Sequence, residues 1–291
     1  MGKIFGVNTK ISGKVGQYLY RQTRRGTVIS EVPVKPVIPR RSTKQMARRA
    51  QWANLGAIYK QFDSMLRRGY ENLPPQMSVF NAFIQANIDV VKVYITKTIK
   101  LNGGAVLAPY QITRGSLPSI DMAKNASNIL VSSVNLGTLT IDANTTVGEF
   151  SQAVIDNNDT FEEGDQLTFF HGRQFVDIVT RTPRVTIKGH KVILSTAEDT
   201  KLWDVVDKIG FSTADSCLAT AIQITNGAAV WVHSRESAEG SLRVSTQVFF
   251  VENSALATYQ GNAAFKVAVK SYGGINSAAI YLKPELPIAI D

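Results

Sequence analysis

The residues best suited to chemistry fall in three places. His233-x-Arg235-Glu236 sets a base, a cation and an acid within four positions. On a strand, alternation turns His233 and Arg235 to one face, where they can move a proton or form a cross-strand polar pair. No nucleophile converges on them by spacing. Asp156–Asp165 is the most acidic decade and is rich in oxygen ligands for Ca²⁺. Thr160 and Phe161, however, stand where an EF-hand needs Asp/Asn and Gly. This stretch reads as a solvated loop, with a weak Ca²⁺ site or a contact to a basic neighbour as the alternatives. Gly6 and Gly13-Lys14 suggest a phosphate loop, but the spacing is too long and Val15 replaces the Mg²⁺-binding Ser/Thr. GxGxxG, GxSxG and HExxH are absent, and His171, His190 and His233 lack zinc spacing. The expectation is a protein that is not an enzyme and uses no cofactor or metal.

The third place is the basic N-terminal region. Arg24-Arg25, Arg40-Arg41, Arg48-Arg49 and Arg67-Arg68 are paired, and Tyr18, Tyr20, Trp52 and Tyr59 are interleaved with them. Paired arginines can bridge phosphates, and such binding weakens steeply with salt. Arginine and aromatics are equally the residues of protein interfaces. Tyr18, Tyr20, Arg21, Arg24, Arg25, Arg40, Arg41, Arg48 and Arg49 are therefore the candidate interaction residues. A protein neighbour is favoured over nucleic acid, because non-specific phosphate binding would tolerate a shapeless tail and this stretch is patterned.

That pattern has recognisable parts. Val15–Tyr20 and Thr27–Val32 have β character, and Gln22–Gly26 has the length and glycine of a hairpin loop. Pro33, Pro36 and Pro39 make an extended spacer. Ser42 or Thr43 can cap a helix running to about Arg68, with Met46, Ala50, Leu55, Tyr59, Phe62 and Leu66 on one face. Leu73-Pro-Pro75 breaks the chain before a second helix over 78–93, giving a helical hairpin. Beyond residue 100 the period becomes two. Strands are expected at 105–113, 128–141, 166–171, 174–180, 184–194, 218–224, 228–234, 242–252, 264–271 and 277–283. The 228–234 and 242–252 strands form a hairpin across Glu236–Gly240. Thr146 and Glu149 form a capping box ahead of a short helix, and 199–209 is a second helical candidate. The fold class expected is α+β: a basic arm (1–41), a helical hairpin (42–100) and an antiparallel β-rich, sandwich-like body (101–291) with a possible inserted segment at about 120–210.

Charge divides along the same lines. The 291 residues carry a net +9. Residues 1–100 hold 18 Lys/Arg against 4 Asp/Glu, and residues 101–291 hold 14 against 19, so the halves stand at +14 and −5. Such asymmetry marks a basic surface made for something negative, including the acidic half of a neighbouring copy. No run reaches the roughly 18 apolar residues of a membrane span. MGKIFGVNTK lacks a signal-peptide apolar region, and Cys217 is the sole cysteine. These features lead to an expectation of synthesis in a cytoplasm and no membrane partner.

Met1-Gly-Lys-Ile4, Ser12-Gly-Lys-Val-Gly16, Val28-Ile-Ser30, Val32-Pro-Val-Lys-Pro36 and Ser42-Thr-Lys-Gln-Met-Ala-Arg-Arg-Ala-Gln-Trp-Ala53 together resemble a family of Bacteroidetes and phage proteins with no assigned activity. That family shares a Gly-Lys-x-Gly start, a basic Pro-containing connector and a Gln-x-x-x-Arg helix. Arg114-Gly-Ser-Leu117 and Asn276-Ser-Ala-Ala-Ile-Tyr-Leu282 are similar to its mid-chain and C-terminal marks, while about 120–210 departs from its compact pattern. The resemblance extends to ring and tail components of crAss-like phages. It implies a virion structural protein, made in the host cytoplasm, that forms a homo-oligomeric ring near the portal or tail. Its partners would be its own copies and neighbouring portal or tail proteins. The alternative is an architectural nucleic-acid-binding protein using the same arginines.

Overall fold

In a computed structural model, the structure describes residues 2–4, 12–23, 26–32, 42–62, 65–66, 69–237 and 240–273. The Pro spacer, Arg24, Arg25, Arg40, Arg41, Arg67, Arg68 and the expected strand at 277–283 lie outside the described residues.

The chain opens with four short strands, β1 (Gly2–Ile4), β2 (Gly13–Val15), β3 (Tyr18–Thr23) and β4 (Gly26–Glu31), joined as an antiparallel sheet in the order β1-β4-β3-β2. Three helices follow: α1 (Thr43–Gln61), α2 (Val79–Asn87) and α3 (Lys97–Leu101). Ser42 caps α1 through a reciprocal box with Gln45, satisfying two otherwise orphaned donors. The helix is shorter than the expected run to Arg68. The Met65 N–H bonds Phe62 O and the Gly69 N–H bonds Leu66 O, three residues back, so the chain turns there. α2 also stops early. The Asn87 amide donates to Phe83 O and Gln111 O and accepts from the Gln111 N–H, tying the helix end to the next segment.

The remaining elements are β5 (Gln111–Thr113), β6 (Met122–Lys124), β7 (Leu130–Asn135), α4 (Val147–Asn157), β8 (Gln166–Val176), β9 (Pro183–Ile193) and α5 (Leu202–Val205). They continue with β10 (Ser212–Ala214), β11 (Cys217–Ala219), β12 (Gly227–Glu236), β13 (Leu242–Val244), β14 (Gln247–Val248), β15 (Phe250–Glu252) and α6 (Gly261–Tyr272). The fold is α+β with an antiparallel, β-rich body. Its central sheet runs β13-β12-β8-β9, with β15 also on β12. The expected 166–171 and 174–180 strands are one continuous β8, paired along its length with β9. The β12–β13 hairpin forms as expected, and Thr146 and Glu149 make the capping box of α4.

The central sheet is a wall between two cores. Phe170, Val185, Ile187, Ala228, Val230 and Val232 face α1 and α2. Leu167, Phe169, Val192, Ala229 and Trp231 face α4 and the smaller sheet β10-β11-β7-β6. A period of two on a sheet buried on both sides produces this division.

Several strand expectations are corrected: 128–141 keeps only Leu130–Asn135, 174–180 ends with β8 at Val176, 218–224 gives only Cys217–Ala219, and 242–252 breaks into β13, β14 and β15. Residues 264–271 lie in helix α6, where Ala264, Ala268, Val269 and Tyr272 fall at helical spacing and pack on Met46, Ala47 and Ala50 of α1. Of 105–113, only Gln111–Thr113 joins a ladder. Ala105–Ala108 is buried between helix and sheet, and its backbone is satisfied by side-chain amides. The Asn54 amide accepts from Val106 N–H (2.8 Å) and donates to Val106 O (3.1 Å). The Gln174 amide accepts from Leu107 N–H (2.9 Å) and donates to Ala105 O (3.1 Å). Buried backbone groups need partners, and here side chains replace a neighbouring strand. Among the described residues no helix is long and apolar enough to cross a membrane.

Candidate interaction surface

The N-terminal sheet has both faces open. Its register pairs Tyr18 with Glu31, Tyr20 with Ile29 and Arg21 with Val28, while Val15 meets Tyr18 and Lys14 meets Leu19. One face therefore carries Val15, Tyr18, Tyr20 and Ile29, and the other carries Lys14, Leu19, Arg21 and Val28. None of these side chains is buried. Val15 is 60% and Tyr18 47% exposed. Strand-forming residues with one apolar-aromatic face and one basic face make a surface that gains stability only when something covers it.

The expected interaction residues divide accordingly. Tyr18 and Tyr20 share the aromatic face, and Arg21 lies on the opposite face. Arg24 and Arg25 connect β3 to β4, outside the described residues, as do Arg40 and Arg41 ahead of α1. The two helical arginines are partly engaged elsewhere. Arg48 Nη2 donates to Asp89 Oδ1 at 2.6 Å, in an exposed pair. Arg49 Nη1 lies 3.9 Å from Met46 Sδ. Trp52 packs edge-on against Phe80.

The two other chemistry-bearing stretches meet each other. His233 Nε2 lies 2.7 Å from Asp165 Oδ2, and both side chains are 1% exposed. Arg235 clasps the same carboxylate, Nε to Oδ1 at 2.6 Å and Nη2 to Oδ2 at 2.7 Å. It also reaches Glu162 Oε1 (2.8 Å) and Thr160 O (3.0 Å). Phe161 stacks on the His233 ring at 4.2 Å. Burial raises the Asp165 carboxyl, but hydrogen bonds from Arg235, His233 and the Glu162 N–H outweigh it and hold the group down to about 2. The acidic decade thus finds its basic neighbour within its own chain. A carboxylate saturated by donors and shut from solvent ties its loop down, so this cluster is a clamp that fastens the 158–165 loop to β12. Among the described residues no group of three or more His, Cys, Asp or Glu is placed to hold a metal ion.

Sequence reasoning flagged both ends of the clamp, His233-x-Arg235 and the Asp156–Asp165 decade, without joining them. The register that sets His233 opposite Leu167, two residues from Asp165, makes the junction. No protein-family model, curated protein or solved structure matches this chain.

Proposed function

We propose that the chain is a structural protein of a bacteriophage virion, assembling as a homo-oligomeric ring in the portal-proximal or tail region. In this reading the N-terminal sheet grips a neighbouring subunit. The observation that carries the reading is a four-stranded sheet in which no described side chain is buried. A sheet this small has no core of its own, and its aromatic face is shaped for a partner rather than for water. The charge asymmetry, +14 before residue 101 and −5 after it, supplies a complementary surface on an identical copy. The virion setting rests on the family resemblance of the first hundred residues.

Light scattering on the full chain and on a chain lacking residues 1–41 tests this. The full chain forms a defined multimer, alone or mixed with portal and tail proteins. The truncated chain stays monomeric with its melting temperature retained. A full-length chain that remains monomeric in every such mixture overturns the proposal. The second reading, an architectural nucleic-acid binder, is favoured by Lys14 and Arg21 sharing the other face of the sheet. It requires duplex DNA binding whose log K falls linearly with log salt, and lack of binding at low salt eliminates it.

A further inference from the structure

The same face of the central sheet that carries the buried clamp opens at its other end into a groove of about 490 Å³. Its floor is the β8–β9 ribbon. His171 pairs with Lys188, Phe169 with His190, and Arg173 with Thr186, so Phe169, His171, Arg173 and Phe175 of β8 and Thr186, Lys188 and His190 of β9 follow one another about 7 Å apart on one face. Phe175 ends the β8 row at 44% exposure. The far wall is the loop carrying Asp207 and Ile209. This wall is fixed: Gly210 sits so close over Phe169 that a Cβ would collide with the ring, and the Trp231 indole N–H donates to Gly210 O at 2.8 Å. Inside the groove the Phe169 and His171 rings lie nearly parallel, 6.3 Å apart. Asp207 is its one acid and lies 3.9 Å from His190 Nε2. Among the described residues the side chains of Arg173 and Lys188 form no hydrogen bond or ion pair.

We propose that this groove binds single-stranded nucleic acid, with bases against Phe175 and His171 and phosphates on Arg173 and Lys188. Two features carry the assignment. The two cations stand at diagonal positions on the β8–β9 ladder with Asp207 as the groove's acid, and each would gain from an anion. The rings of His171 and Phe175 flank Arg173 on β8, an arrangement that sets stacking beside phosphate contact along an unpaired strand. A duplex could not bring its stacked bases to Phe175. An acidic peptide would satisfy the cations but leave Phe175 and Ile209 uncovered.

Fluorescence anisotropy of labelled oligothymidylate with the full chain tests the proposal against the arm. Arg173→Glu/Lys188→Glu abolishes binding at physiological salt, and Arg173→Ala/Lys188→Ala flattens the slope of log K against log salt by about 1.4 for two phosphate contacts. Phe175→Ala weakens binding roughly tenfold or more. Arg24→Glu/Arg25→Glu leaves it unchanged, and the His171 ring resonances shift on titration of the wild-type chain. All altered side chains are solvent-exposed or lie outside the described residues, and unchanged far-ultraviolet dichroism confirms folding. Wild-type affinity in the Arg173/Lys188 variants, or loss of binding in the arm variant alone, overturns the proposal. Binding that polyglutamate displaces and that ignores Phe175→Ala marks an acidic-peptide seat and also overturns it. None of these outcomes depends on whether the chain forms rings.

Discussion

The N-terminal sheet and the central sheet are built from the same kinds of residue and come to opposite ends. β3 and β4 draw on Tyr, Thr, Val and Ile, and β8, β9 and β12 on Phe, Trp, Val and Ile, all strand-favouring aromatic or β-branched residues, and both sheets pair antiparallel in continuous register. The central sheet buries both faces, each against its own core. The N-terminal sheet buries neither. Strand propensity and register therefore make the ladder, but only flanking apolar layers make it a core. On the proposed function, a neighbouring subunit supplies the layer that the small sheet lacks. Substitutions should accordingly be costly to stability in one sheet and costly to assembly in the other.

The largest expected effect is at Trp231, fully buried at the centre of the wall. Trp231→Ala should lower unfolding free energy by about 3–5 kcal/mol through lost burial and a residual cavity. Tyr18→Ala/Tyr20→Ala should change it by less than about 1 kcal/mol while removing multimers. Denaturant titration beside light scattering checks both, and equal destabilisation would erase the contrast. The next largest is at the clamp. Asp165→Asn strands His233 and Arg235 beside a weaker acceptor and should cost roughly 3 kcal/mol at neutral pH. Because the Asp165 pKa is depressed by folding, to about 2, its contribution is full above the unfolded value near 4 and is lost as pH falls through about 2. The wild-type melting temperature should drop across that window, and the variant should drop less. The smallest effect is Arg48→Ala, which removes an exposed pair with Asp89 and should cost under about 1 kcal/mol, vanishing at high salt.

Part of this was legible in the sequence. The alternation of β8, β9 and β12 survives in the structure because both faces of each strand are constrained. The Ser42 and Thr146 caps were readable because a cap is a local contact between residues three apart. Residues 264–271 were not, since Ala263-Ala-Phe-Lys-Val-Ala-Val269 fits either period and only the groove between α1 residues selects the helix. Asn54 and Gln174 gave no signal that they would stand in for a strand beside Ala105–Ala108. Their partners are 52 and 67 residues away in sequence, and pattern reading stops well short of that distance. Asp165 and Arg235 were each visible, but their meeting depends on strand register. The groove was the least legible feature. His171 and His190 look like isolated strand histidines until β8 and β9 are laid side by side.

One wall serving two cores has a mechanical consequence. Phe169 and Phe170 are chain neighbours, yet each is a keystone of a different hydrophobic cluster. Loosening either cluster frees the strand that the other depends on, so damage on one side passes through the backbone to the other and the costs of distant substitutions cease to add. The two layers cannot melt in turn. They hold, and give way, as one cooperative unit.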